Sequence, residues 1–157
     1  MSLDTPSALV IDGSGFRVGL VAARFNERLV DGLVRSAMAT LRAAGVMDSN
    51  VTTIRVPGSG ELPFGAQMLF ERHSLDVCLA LGVVIKGGTM HDQLVAEAAQ
   101  QGLLRVGLDA KIPVIVGVVT ANDDAQAEER CLGKINRGGE FAQTALEMVA
   151  LKNRILS

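Results

Sequence analysis

A chain of 157 residues with a formal net charge of −2 and 48% apolar residues is long enough for one domain with a substantial core. It has no lysine- or arginine-rich run, no Trp or Tyr and five Phe, which argues against a nucleic-acid surface built of cations and stacking rings. No apolar stretch approaches the roughly 20 residues of a membrane span, and no basic start leads into an apolar run, so the expectation is a cytoplasmic protein that engages neither membrane nor nucleic acid.

Residues 1–15 are polar and glycine-bearing and read as a flexible arm ahead of a single domain over 16–157. Residues 17–21 form a short apolar strand. The next segment repeats apolar residues at Val30, Leu33, Val34, Ala37, Met38, Leu41 and Ala44, a helical period that stops at Gly45. A second strand over 51–56 ends at Pro57-Gly58, and residues 62–72 return to helical spacing with Leu62, Ala66, Leu69 and Phe70 inward. The almost continuous apolar run 75–84 predicts a central parallel strand covered on both faces. A long helix follows, with Leu94, Val95, Ala98, Leu103 and Val106 on its inner side. A fourth strand occupies 112–119, and two further helices occupy about 123–132 and 139–156.

This β-α-β-α-β-α-β-α-α order predicts a four-stranded parallel sheet between two helical layers, a three-layer α/β/α sandwich of the flavodoxin-like class. The last helix carries Phe141, Ala145, Leu146, Met148, Val149 and Leu151, an apolar surplus that points to subunit contacts. Cys78 lies within the apolar run and reads as a small buried hydrophobe. Cys131 follows a charged stretch and admits either a reactive or an inert thiol; the pair forms neither a zinc site nor a disulfide framework.

In open α/β sheets ligands collect where strands end at their carboxyl side. After the first strand, Phe25 can stack on a planar heterocycle. After the second, Glu61 opens a helix and suits either simple capping or a polyhydroxylated ligand. After the third, Lys86-Gly87-Gly88-Thr89-Met90-His91 offers helix-terminal N–H groups to an anion and a histidine for proton transfer. The same turn also fits a tight strand-to-helix connection whose histidine merely caps or packs. After the fourth come Arg130, which suits an anion or an i,i+4 partner on its own helix, and Lys134, which suits an anion or open solvent.

Several segments in register resemble the 6,7-dimethyl-8-ribityllumazine synthase family of riboflavin biosynthesis. They are Ala23-Arg24-Phe25-Asn26, Val56-Pro57-Gly58 with Glu61-Leu62-Pro63, and the run from Gly82 to His91. Further on they are Ile112-Pro113-Val114-Ile115, Gly117-Val118-Val119-Thr120, Glu129-Arg130, Gly133-Lys134 and Ala145-Leu146-Glu147-Met148. Each is weak alone; their order and near-constant spacing make the signal specific.

The resemblance implies condensation of 5-amino-6-(D-ribitylamino)uracil with 3,4-dihydroxy-2-butanone 4-phosphate, without metal or organic cofactor. Phe25 would stack on the pyrimidine, with Asn26 beside it. Ser59, Gly60 and Glu61 would line the ribityl chain, and the backbone of Val83, Val84 and Ile85 would hold the ring edge. Gly88, Thr89 and Arg130 would bind phosphate, His91 would move protons, and Lys134 would assist. The family builds its site between subunits of a pentamer or a multiple of pentamers, so Val116, Arg130 and Lys134 would come from the neighbouring subunit.

The chain also departs from the family pattern. Gly60 and Val116 stand where aromatic residues are usual. Gln93 stands where a carboxylate usually follows the histidine, Lys86 replaces an arginine, and the stretch after Lys134 is one residue short. These departures leave two alternatives, a non-catalytic lumazine- or flavin-binding or shell-forming paralogue and the related archaeal-type riboflavin synthase. Retention of the phosphate elements speaks against the latter, whose substrate carries no phosphate.

Overall fold

The computed structural model describes residues 4–157. Nine main elements alternate along it: β1 (Val18–Ala23), α1 (Glu27–Ala43), β2 (Val51–Val56), α2 (Leu62–Arg72), β3 (Val77–Ile85), α3 (His91–Ala110), β4 (Val114–Ala121), α4 (Asp124–Cys131) and α5 (Arg137–Leu156). All strand pairs are parallel and the sheet order is β2-β1-β3-β4. The expected three-layer flavodoxin-like architecture is therefore present. The order reverses between β1 and β3, the switch point where two diverging crossovers leave a crevice at the carboxyl ends of the strands.

Burial follows the layers. Every residue of β1 and the first seven of β3 are buried, as expected of inner strands covered on both faces. Leu20, Ala22, Leu79 and Leu81 point to one face, where they join Val30, Leu33 and Leu41 of α1 and Ala142, Leu146 and Val149 of α5. Val21, Cys78 and Ala80 point to the other, against Leu62, Ala66 and Leu69 of α2 and Leu103 of α3. Packing between α2 and α3 is close: a Cβ at Gly102 would come within 2.7 Å of Pro63, so only glycine permits that approach.

Two packing expectations need correction. In α3, Leu94 and Ala98 are exposed, while Ala99 and Leu103 are buried. The inward stripe runs Val95, Ala99, Gly102, Leu103 and Val106, one position on from part of the expected face, because apolar residues surround this helix and its period alone does not fix its rotation. In α5, Phe141, Ala145, Leu146 and Val149 are buried in the chain's own core, and the apolar residues it presents outward are Met148, Ile155 and Leu156. Further exposed apolar side chains lie on α2 (Phe64, Met68) and α3 (Leu94, Leu104, Leu108).

Residues 4–13 run without regular secondary structure. There the Leu9 N–H donates to Glu147 Oε1 (3.1 Å), and Gln143 Nε2 donates to the Leu9 carbonyl (2.8 Å). Among the described residues no helix is long and apolar enough to cross a membrane.

Candidate functional site

The crevice at the switch point is built from four chain segments. After β1, the Phe25 N–H donates to the Pro57 carbonyl (3.0 Å), which sets the ring over the turn that follows β2. A Cβ on Gly58 would lie 3.1 Å from Phe25 Cδ2, so the glycine gives the ring its seat. Phe25 is nonetheless 71% exposed, an apolar face presented to the crevice. Asn26 follows in the left-handed conformation (φ 58°) and donates its side-chain amide to the Val83 carbonyl at 2.9 Å.

After β2, residues Ser59–Glu61 form one turn of 3-10 helix. Glu61 Oε2 accepts the Gly58 N–H at 2.9 Å, so the capping role is realised. The carboxylate also lines the crevice, and the two readings of Glu61 are compatible. Ser59 is buried against Gly82 of β3, whereas nothing lies near the position a Gly60 Cβ would take. That side of the crevice is open.

After β3, Thr89 Oγ1 accepts the N–H of His91 (3.3 Å), which starts α3 with its ring exposed. The first cleft, about 390 Å³, is lined by Phe25 and Asn26, by Ser59, Gly60 and Glu61, and by Val83, Val84, Ile85 and His91. Nine residues read from the sequence as one site thus converge within one chain. Asp92 and Val95 complete the wall. Val95 was missed although it follows His91 at i+4 and must share its helix face; Asp92 carried no signal beyond adjacency.

A second cleft of about 680 Å³ lies beyond, between the start of α3 and the segment after β4. It is lined by Lys86 and Thr89 on one side and by Asn122, Gln126 and Arg130 on the other. Asp123 caps α4 by accepting the Gln126 N–H (2.7 Å), and Gln126 Oε1 accepts the Asn122 N–H (2.7 Å). This ordered start places Arg130 one turn further along the cleft wall. Gln126 is thereby committed to Asn122, and one acid of α4, Glu128, is turned away to pair with Arg28 of α1. Arg130 and Lys86 make no side-chain hydrogen bond or ion pair among the described residues, so both cations remain open to an anion. Val84 and Asp92 line both clefts and form the wall between them.

Three predicted residues lie outside this pair of clefts. Gly88 lines neither, Val116 is half-buried in the core beneath α2 and α3, and Lys134 is exposed in the turn between α4 and α5. Cys131 is buried, and burial pushes its thiol up to about 11, which removes the reactive-thiol reading. Among the described residues no three His, Cys, Asp or Glu side chains group as a metal site.

The arrangement offers a ring-sized slot with an aromatic face, a carboxylate and a histidine, joined to a cleft carrying free cations. A protein-family model described as 6,7-dimethyl-8-ribityllumazine synthase matches residues 15–153. Curated relatives bearing that same name include one from Thermococcus gammatolerans, 41% identical over 91% of this chain and 92% of its own. Another from Kineococcus radiotolerans is 43% identical over 95% and 92%, and one from Halorhodospira halophila is 44% identical over 88% and 90%.

Proposed function

The chain belongs to the 6,7-dimethyl-8-ribityllumazine synthase family, and from that premise we propose how its own residues carry the reaction. It condenses 5-amino-6-(D-ribitylamino)uracil with 3,4-dihydroxy-2-butanone 4-phosphate, releasing inorganic phosphate and water, in the penultimate step of riboflavin biosynthesis. One observation supports the division of labour: the slot and the cation-bearing cleft meet at a common wall, so two substrates bound in them would touch.

In this reading Phe25 stacks on the pyrimidine and the 83–85 segment holds its edge. Ser59, Gly60 and Glu61 receive the ribityl hydroxyls, Glu61 Oε1 accepting while Oε2 holds the Gly58 N–H. Arg130 and Thr89 take the phosphate, Gly88 in the turn before Thr89 lets it approach the backbone, and Lys86 adds a second cation. His91, exposed beside both substrates, carries protons between nitrogen and oxygen. Val116 and the exposed Lys134 serve a neighbouring subunit's slot, whereas Arg130, expected to do the same, shares its own chain's cleft with Thr89. Much of the rate then comes from holding two reactive molecules in contact, an effect worth up to about 7–11 kcal/mol in well-oriented systems.

The exposed apolar side chains of α2 and α3 support a homo-oligomer. We assign it as a pentamer or a multiple of pentamers, up to an icosahedral shell, in the cytoplasm. The open wall at Gly60 favours one other reading, a paralogue that binds a lumazine or flavin ring without turnover. Purified protein mixed with both substrates and followed by lumazine absorbance and fluorescence decides between them. Synthesis well above the spontaneous rate supports the synthase; a background rate with retained ring binding supports the paralogue.

A further inference from the structure

We propose that Asp92 is a second polar participant at the reacting atoms, its carboxylate accepting a hydrogen bond from the pyrimidine amine as that amine attacks the ketone. The inference rests on the reaction proposed above. Asp92 lies in the wall shared by both clefts, the place where the amine of one substrate would meet the carbonyl of the other. Its Oδ1 is covered by the protein and has no hydrogen-bond partner among the described residues, which leaves Oδ2 as the oxygen open to a ligand. A half-desolvated carboxylate without a donor is costly, and an N–H placed on its open oxygen offsets that cost.

The neighbouring residue does not compete for this role. Gln93 directs its amide to Glu97 at 2.9 Å, one turn along the helix. Asp92 is therefore the carboxylate next to His91 that borders both clefts.

The step balances without any further reactant. The amine lone pair forms the new C–N bond, and the carbonyl π pair moves to oxygen. Nitrogen then carries a positive charge and oxygen a negative one until a proton passes from the first to the second. Asp92 faces the nitrogen during that interval, while His91 is placed to relay the proton. A carboxylate there stabilises charge that is absent from the separate substrates, so its contribution appears in turnover rather than in ground-state binding.

The test compares wild type, Asp92→Asn and Asp92→Ala by steady-state lumazine formation, varying each substrate in turn, with thermal melting alongside. Asp92→Asn is expected to lower kcat about 10- to 100-fold, leave both KM values within about threefold and leave the melting temperature unchanged or raised. Asp92→Ala should lose at least as much. An unchanged kcat in Asp92→Asn, or a raised KM with kcat intact, overturns the proposal. So does a loss of activity in both variants that only tracks loss of folded protein. Failure of the wild type to make lumazine overturns the underlying reading first, and is distinguishable because it appears before any substitution.

Discussion

Asn26 donates its side-chain amide to the backbone carbonyl of Val83 at 2.9 Å, joining the turn after β1 to the carboxyl end of β3 across the switch point. The same residue holds φ 58°, a conformation that asparagine tolerates better than other side chains, and it starts α1 without a side-chain cap. Its amide is therefore spent on the site's framework. The resemblance placed Asn26 beside the ring, and this bond shows that its side-chain amide holds the wall of the slot.

That double role separates two substitutions. Asn26→Gly keeps the backbone conformation and loses the bond, at a cost of about 1 kcal/mol. Asn26→Ala loses the bond and also strains the turn, adding about 1–2 kcal/mol. Thermal or urea unfolding should rank wild type above the glycine variant and the glycine variant above alanine. Equal stability of the two variants would mean that the left-handed turn costs nothing here.

Gly60 makes the opposite case. Nothing lies within 4 Å of an added Cβ, and Gly60 is not among the positive-φ glycines of the described residues. Gly60→Ala should thus leave the fold intact and stabilise it by about 0.4–1 kcal/mol through the unfolded chain. Gly60→Phe supplies a wall to the open side of the slot and should lower KM for the pyrimidine while sparing the phosphate substrate. A loss of stability in Gly60→Ala, read from urea midpoints, would contradict the open space.

The two clefts predict separable substrate effects. Phe25→Ala removes the exposed ring over Gly58 and should raise KM for the pyrimidine. Arg130→Ala removes an uncommitted cation from the other cleft and should raise KM for the butanone phosphate roughly tenfold or more, as for a charge-assisted contact of about 1.5–3 kcal/mol; the stacking lost in Phe25→Ala is worth about 0.5–1.5 kcal/mol beyond area burial. Initial rates with each substrate varied at saturating levels of the other provide the check. Equal losses toward both substrates from both changes would dissolve the split.

Much of this was legible in the chain itself. The second strand (Val51–Val56) and the helix Leu62–Arg72 match their expected limits because each is bracketed by strong breakers, Pro57-Gly58 between them and a break in period after Arg72. Of the nine cleft residues expected from the sequence, Phe25, Glu61 and His91 were legible from their places after strand ends, where this topology gathers function, and the other six from the family resemblance. The rotation of α3 was not legible: a helix apolar on more than one side has no unique inner stripe until α2 and β4 are placed against it. Burial of Cys131 likewise escaped the sequence, since Glu128, Glu129 and Arg130 surround it with charge while its own face of α4 turns inward.

The two buried thiols carry the last prediction. Cys78 is pushed up to about 12 and Cys131 to about 11 from an ordinary value of 9.0, in both cases chiefly by burial. In the unfolded chain the same thiols ionise near 9.0, so between pH 9 and about 11 the folded state holds more protons than the unfolded state. Stability from these groups is then fully present below pH 9 and falls as pH rises toward and through the folded values, by up to a few kcal/mol in all. Urea unfolding from pH 8 to 10.5 should show the decline, and Cys131→Ala should make it shallower while costing some packing. At pH 8 an aromatic disulfide reagent should react slowly with native protein and release two equivalents on unfolding. Rapid native reaction at Cys131, with a pH-independent urea midpoint, would mean that this thiol is open to solvent and poised to ionise.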